Sequence, residues 1–313
     1  MDNKNYNTLT AYYKQKFNKK VAKIALNGPF SCPNKDGKKG YGGCTYCSKL
    51  GSGDTAGDRQ LSLTEQFFQI KKVMDKKWND LLYIPYLQSN SNTYGTLDHL
   101  KKVYEEIVAI PCDKIVGLAI ATRPDCFSEE IYEYLGELNT RIPLSIELGL
   151  QTSNPNTAKI INRNSTNQEL IDAVINLRKL NIEVVVHIIN GLPYETEQDM
   201  LNTIDFINSL DVQGIKFHSL LVLKNTKMYD EYLEKPFKIL SLEEYTDICV
   251  KQIARLKPSI IIHRLAADGI IDDIYLPKWP IKKLVVMNEI DKLMRKNNIH
   301  QGDDYLKPTI ITN

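Results

Sequence analysis

Three of the chain's six cysteines, Cys32, Cys44 and Cys47, fall in one glycine-rich stretch, SCPNKDGKKGYGGCTYC over residues 31–47, spaced C-x11-C-x2-C. Three thiolates with no histidine nearby suit a soft metal centre of the iron–sulfur kind. A cluster of four irons would then keep one corner open to a small molecule. Gly37, Gly40, Gly42 and Gly43 let the backbone wrap closely and turn N–H groups toward the sulfides, since no Cβ stands in the way. A structural zinc loop is the competing reading, but zinc normally closes on four ligands. The next histidine is His99 and the next cysteine Cys112, neither at zinc-finger spacing.

Such a loop needs a scaffold, and the rest of the chain alternates in a way that supplies one. Strands are expected at Val21–Leu26, Leu81–Leu87, Ile115–Ala121, Leu144–Leu150, Ile182–Asn190, Gly214–Leu223 and Ser259–His263. Between and after them, helical periodicity covers Leu61–Lys77, Leu97–Ile110, a segment capped by Ser128 and running to Leu138, Asn167–Leu180, Thr196–Leu210, Leu242–Leu256 and Ile281–Lys296. Runs of aliphatic residues alternating with amphipathic helices mean parallel βα units with both sheet faces covered. Six or seven units are too few for a closed eight-fold barrel. The expected fold is α/β, a partial, open (β/α)6-type TIM barrel with N- and C-terminal extensions: 1–20, basic and aromatic; 21–269, the barrel; 270–313, packed on it.

In parallel βα folds chemistry gathers at the C-terminal strand ends, and polar residues gather there here. Gln88 and Asn90 follow the second strand, Thr122, Arg123 and Asp125 the third, and Gln151 the fourth, with Glu147 inside it. His187 and Asn190 lie on the fifth strand, Lys216 and His218 on the sixth, and His263 and Arg264 on the last. Each has a plain structural role open to it: Asp125 capping a turn, Glu147 pairing with a lysine, a strand histidine satisfied in the core. Their shared rim is the stronger argument.

Composition sets bounds. At 313 residues, 42% hydrophobic and 25% charged, the chain can bury a sizeable core. A net charge of +2 makes it no general polyanion binder, so nucleic-acid affinity would come from local patches. One candidate is the N-terminus, where Lys14, Lys16, Lys19 and Lys20 interleave with Tyr6, Tyr12, Tyr13 and Phe17. That stretch could grip RNA, or form a short helix with its aromatics on the body and its lysines in solvent. No apolar run reaches membrane-spanning length, the N-terminus lacks a signal-peptide core, and the cysteines do not form a disulfide framework. A reducing, cytoplasmic location is expected. Cys112 and Cys249 read as core residues and Cys126 as a rim residue open to exposure; no second set of three suggests another cluster.

The cysteine loop with Tyr46 before its last cysteine, ELGLQT at 147–152 and INGLP at 189–193 resemble the radical S-adenosylmethionine enzymes. Their common pattern is C-x3-C-x2-C, and the first gap of eleven departs from it. The long gap and ATRPD at 121–125 resemble the branch containing the catalytic subunit of Elongator, over roughly residues 20–265. The GLQ and GLP segments are also similar to oxygen-independent coproporphyrinogen oxidase. QSNSNTY at 88–94 and IIHRLAADG at 261–269 resemble a short bacterial subfamily without the acetyltransferase domain.

The resemblance implies a 4Fe–4S cluster on Cys32, Cys44 and Cys47, and S-adenosylmethionine on its open iron. Gln151 and Arg163 stand where that pattern places cofactor contacts, and His187 stands where it has an aspartate. Tyr46, Gln88, Asn90, Thr122 and Glu147 complete the expected cofactor set. Lys216, His218, His263 and Arg264 are expected to face substrate. The resemblance further implies tRNA as substrate, with a carboxymethylaminomethyl group at wobble-uridine C5 trimmed to aminomethyl. An electron donor such as flavodoxin or ferredoxin, a downstream tRNA methyltransferase and no membrane partner go with it. A radical enzyme acting on a small metabolite, or a zinc-bearing RNA-binding module, are the other readings.

Overall fold

The computed structural model describes residues 4–49, 51, 55–267 and 269–306. The first three residues of the N-terminal segment, Asp268 of the IIHRLAADG run and the last seven residues of the C-terminal segment lie outside the described residues. Elements run in the order α1 (Leu9–Phe17), β1 (Val21–Leu26), α2 (Leu63–Asp75), β2 (Leu82–Leu87), α3 (Leu97–Val108), β3 (Leu118–Thr122), α4 (Glu129–Arg141) and β4 (Leu144–Gln151). Then come α5 (Pro155–Ile160), α6 (Asn167–Lys179), β5 (Glu183–Asn190), α7 (Glu197–Asn208), β6 (Gly214–Ser219), β7 (Val222–Leu223) and α8 (Lys227–Glu234). The order closes with α9 (Leu242–Arg255), β8 (Ile261–Arg264), β9 (Ile274–Leu276), a 3₁₀ turn at Trp279–Ile281 and α10 (Lys283–Lys296).

Seven strands form one parallel sheet, in the order β1-β2-β3-β4-β5-β6-β8. This is a partial, open TIM barrel. The helices start where the sequence writes caps: Ser62, Thr166, Thr196 and Ser241 each accept from the residue three ahead, whose acidic side chain answers the cap's own N–H. The strands are not aliphatic on both faces. Ile24, Leu87, Ile120, Ile146, Val186 and Phe217 point outward into the main core under the helices. The alternate positions turn inward and include Lys23, Tyr86, Glu147, His187 and Lys216, as the period of two dictates.

The expected strand Gly214–Leu223 breaks after Ser219. Leu220 N–H turns to Asn190 O at 2.9 Å, and Val222–Leu223 leaves the sheet to pair antiparallel with Ile274–Leu276. At the other end of the barrel α1 reaches from the first strand to the last. Ile262 N–H donates to Asn7 O at 2.8 Å, and Tyr12 Oη donates to Glu183 Oε1 at 2.7 Å. Tyr13 packs among Ile84, Tyr86 and Ala119 inside the barrel. The N-terminal aromatics therefore form the floor of the barrel, the helical one of the two readings. Val286, Ile290 and Met294 of α10 join the main core. Among the described residues, no helix is long and apolar enough to cross a membrane.

Candidate active site

One cavity of about 240 Å³ opens at the C-terminal strand ends. Its wall carries Cys32, Cys44, Cys47 and Tyr46 from the loop after β1, Gln88 and Asn90 after β2, and Thr122 and Arg123 at β3. Glu147, Gln151 and Arg163 come from β4 and the segment behind it, His187 from β5, Lys216 and His218 from β6, and Arg264 from β8. The sheet thus gathers residues spread over more than 230 positions of sequence, from Cys32 to Arg264. His263 is the exception among the expected site residues. It does not line the cavity; its ring lies against Gly214, at the N-terminal start of β6.

The cysteine loop has no regular structure, so its shape comes from side chains that satisfy its backbone. Asn34 Nδ2 donates to Asn162 O at 2.6 Å and approaches Cys44 Sγ at 3.5 Å. Asn162 Nδ2 donates to Gly43 O at 2.7 Å, and Asn164 Nδ2 to Asn34 Oδ1 at 2.8 Å. Asn162 and Asn164 both adopt positive φ, 52° and 51°, a conformation asparagine tolerates better than most residues. Arg123 bolts this anchor down, donating to Arg163 O and, with two nitrogens at 2.8 Å each, to Asp125. Asp125 is thus an ion-pair partner and not a turn cap.

Whether the site fits a cluster can be judged from the thiols and their surroundings. A hydrogen bond from Cys47, aided by Arg123, Tyr46 and Asn34 and opposed by burial, lowers the Cys44 pKa to about 6. A thiol that ionises this readily is a ready metal ligand. Among the described residues, no three histidine, cysteine or acidic groups converge to hold one ion. A cluster asks for something else, since each thiolate takes a separate iron. Facing the loop, Arg163 is 1% exposed, donates through Nη2 to Gly149 O at 3.3 Å, and has no partner for Nε or Nη1. Burial lowers its pKa to about 10. Gln151 sits at the bulge between β4 and β5 with φ 62° and lines the same cavity. Buried nitrogens without protein partners, beside three thiols, fit a polar cofactor carried by a cluster.

Other expected contacts are already engaged. Thr122 Oγ1 bonds Thr93 Oγ1 at 2.6 Å. Asn90 braces the loop, donating to Phe30 O at 3.2 Å and accepting from Lys35 Nζ at 3.2 Å. Glu147, expected among the cofactor contacts, centres a buried ion layer on the cavity wall. Its Oε1 accepts from Lys23 Nζ at 2.6 Å, and its Oε2 bonds Lys216 Nζ and, at 2.8 Å, His187 Nε2. Burial alone would raise the Glu147 pKa, but Lys216, Lys23 and His187 outweigh it and hold the group well below the carboxylate range. His187 is thus hydrogen-bonded to Glu147 on the same cavity wall. Burial pushes the His187 pKa down to about 4, and those of His218 and His263 well below the usual value, so all three rings are neutral at pH 7. Cys126 is buried and Cys249 fully so; Cys112 packs on the core.

Sequence reasoning missed Lys23, Asn34 and the Asn162–Asn164 anchor. Lys23 had a signal, a lone lysine inside VAKIAL; the asparagines had only their clustering.

Residues 40–207 match the Radical SAM superfamily and residues 212–296 the Radical_SAM C-terminal domain. The uncharacterized protein YtqA of Bacillus subtilis is 42% identical over 299 residues, 96% of this chain and 92% of that protein. The tRNA-2-methylthio-N(6)-dimethylallyladenosine synthase of Fusobacterium nucleatum is 24% identical over 213 residues, 66% of this chain and 47% of its own. Among solved structures, an N-terminally truncated Elp3 of Methanocaldococcus infernus matches with a TM-score of 0.65 at 16% identity. That match covers 90% of this chain and 64% of the Elp3 chain, and shows the shared fold.

Proposed function

The chain belongs to the radical SAM superfamily, and on that premise we propose that it modifies tRNA, converting a 5-carboxymethylaminomethyl group on wobble uridine to 5-aminomethyl. Its cofactors are a 4Fe–4S cluster and S-adenosylmethionine, which when bound supply a 5′-deoxyadenosyl radical able to take hydrogen from carbon. Cys32, Cys44 and Cys47 hold the cluster. Arg163, through its unpartnered Nε and Nη1, and Gln151 bind the cofactor's polar groups. Gln88, Asn90, Thr122 and Tyr46 shape that pocket. Lys216, His218 and Arg264 face substrate at the far wall.

The observation that carries the reading is the joining of the cysteine loop and a cationic wall in one cavity. A uridine extruded from its stack and bearing a side group that ends in a carboxylate would pass the cofactor and meet Lys216. The relative named as a tRNA synthase adds support. A flavodoxin or ferredoxin donates the electron, a methyltransferase takes the product, and both steps belong to the cytoplasm.

To test the reading, reconstituted protein is reduced anaerobically with S-adenosylmethionine, with and without tRNA from cells lacking the gene. Expected are 5′-deoxyadenosine that rises with tRNA and disappears in Cys44→Ala, and a shift from carboxymethylaminomethyl- to aminomethyluridine in digested tRNA. Unchanged nucleosides would sink the tRNA assignment. One observation favours a small metabolite as the second reading: the N-terminal aromatics, a sequence-level argument for RNA, are folded into the barrel. Deoxyadenosine indifferent to tRNA would select it.

A further inference from the structure

The cavity wall is lopsided in charge. Among its described residues Glu147 is the one carboxylate, facing Lys35, Arg123, Arg163, Lys216 and Arg264. Arg123 is neutralised by Asp125, and Arg163 lies on the cluster side, within electrostatic reach of Tyr46 and Cys44. The imbalance that remains is at the opposite end. There Lys216, 5% exposed, shares the single Glu147 carboxylate with Lys23. Two lysines against one carboxylate cannot both stay charged there without cost, and an added anion would hold Lys216 in its ammonium form. Next along β6, His218 Nε2 is buried with no partner, and so is Ser219 Oγ. His218 lies beside His187, ring centres 5.2 Å apart, yet bonds to neither it nor Glu147. Polar atoms placed this way on a cavity wall are waiting for a ligand.

We propose that Lys216 and His218, with Arg264 adjoining, form a subsite for a carboxylate carried by the substrate, separate from the carboxylate of S-adenosylmethionine. Lys216 can turn to it because Glu147 keeps Lys23 and His187 as partners. A neutral His218 carrying its proton on Nε2 adds a second donor, so two donors meet two carboxylate oxygens. A carboxylate supplies the one negative charge that two protonated lysines lack beside Glu147. The assignment rests on the reading above insofar as the trimmed group ends in a carboxylate, but its test needs no tRNA.

Reconstituted protein saturated with S-adenosylmethionine is titrated anaerobically by calorimetry with N-methylglycine, methylammonium and methyl phosphate. N-methylglycine should bind and methylammonium should not. Lys216→Met should weaken N-methylglycine binding about tenfold or more, the loss of a charge-assisted hydrogen bond, and His218→Ala several-fold. His218→Ala leaves the Glu147 layer intact and decides the matter if Lys216→Met does not fold. Absent binding, binding indifferent to both substitutions, or tighter binding of methyl phosphate would overturn the subsite. Selective N-methylglycine binding in a protein that leaves tRNA nucleosides unchanged would fail the tRNA reading and leave the subsite standing. Altered tRNA nucleosides without that selectivity would do the reverse.

Discussion

Lys216→Met should make the protein more stable while disabling it. The Lys216 ammonium is buried, and its pKa falls from 10.5 to about 7, through burial first, with Lys23 and Arg264 adding and Glu147 opposing. At about 1.4 kcal/mol per pH unit, keeping it charged in the fold costs roughly 5 kcal/mol, and about 4 kcal/mol at pH 7 where it is half protonated. The folded pKa lies below the unfolded one, so between pH 7 and 10.5 the unfolded chain holds the extra proton. Wild-type stability therefore climbs with pH across that window; the penalty is complete below it and gone above. Methionine removes the charge at similar volume. The usual cost of breaking a buried pair, about 3–5 kcal/mol, arises from an orphaned partner, but Glu147 keeps Lys23 at 2.6 Å and His187 at 2.8 Å. The variant should exceed wild type by roughly 2–4 kcal/mol at pH 7, with the gap closing toward pH 10. Anaerobic guanidinium melts of both proteins at several pH values measure it, and cysteine titrations common to both cancel in the difference. A variant less stable than wild type at pH 7, or a gap indifferent to pH, would refute the reasoning.

The neighbouring substitutions have opposite signs or other readouts. Glu147→Gln leaves Lys23 and Lys216 facing each other without a counterion and should cost about 3–5 kcal/mol in the same melts. Tyr13→Ala takes a buried ring out of the barrel floor and should cost about 3 kcal/mol, with faster amide exchange in α1. Gly40→Ala would drive a Cβ into Asn34 and Asn164, the side chains that set the loop around Cys44. Iron retained after desalting should fall well below wild type while the melting transition moves little.

The seven strands, their order along the chain and most helices were legible because aliphatic runs and capping residues such as Ser62 and Thr196 are local signals. Helix α5 went unread: it is six residues long, too short for periodicity. The break in β6 was invisible because LLVL continues the aliphatic run after Ser219, and only pairing with the distant Ile274–Leu276 decides where it goes. In the site, the three cysteines and the rim residues could be found from spacing and strand ends. The partner of each polar group could not. Lys23 and Glu147 are 124 residues apart in sequence and 2.6 Å apart in space. The plain role open to Glu147, a pair with a lysine, is the one its contacts show.

Placement of α1 changes where RNA can be held. Its aromatics are spent: Tyr13 inside the barrel, Tyr12 on Glu183. The lysines in and just after it are partly spent as well, Lys16 on Glu183, Lys19 on Asp80, and Lys20 above the Trp78 ring at 3.8 Å. These groups lie where strands begin, Asp80 just before β2 and Glu183 at the start of β5, while the cysteine loop leaves β1 at its far end. Six residues of strand put roughly 20 Å between the two levels. A nucleotide entering the cavity from the rim meets Lys216 and Arg264 without passing them. If tRNA is the substrate, reversing charge at Lys14 and Lys20 together should change its affinity less than about twofold. The salt dependence of binding should stay as it is, because a lysine that neutralised a phosphate would flatten that slope by about one on its removal. Filter binding over a salt series measures both. A tenfold weakening with a shallower slope would mean that RNA wraps the floor of the barrel, and the N-terminal lysines would then regain the role their spacing with tyrosines suggests.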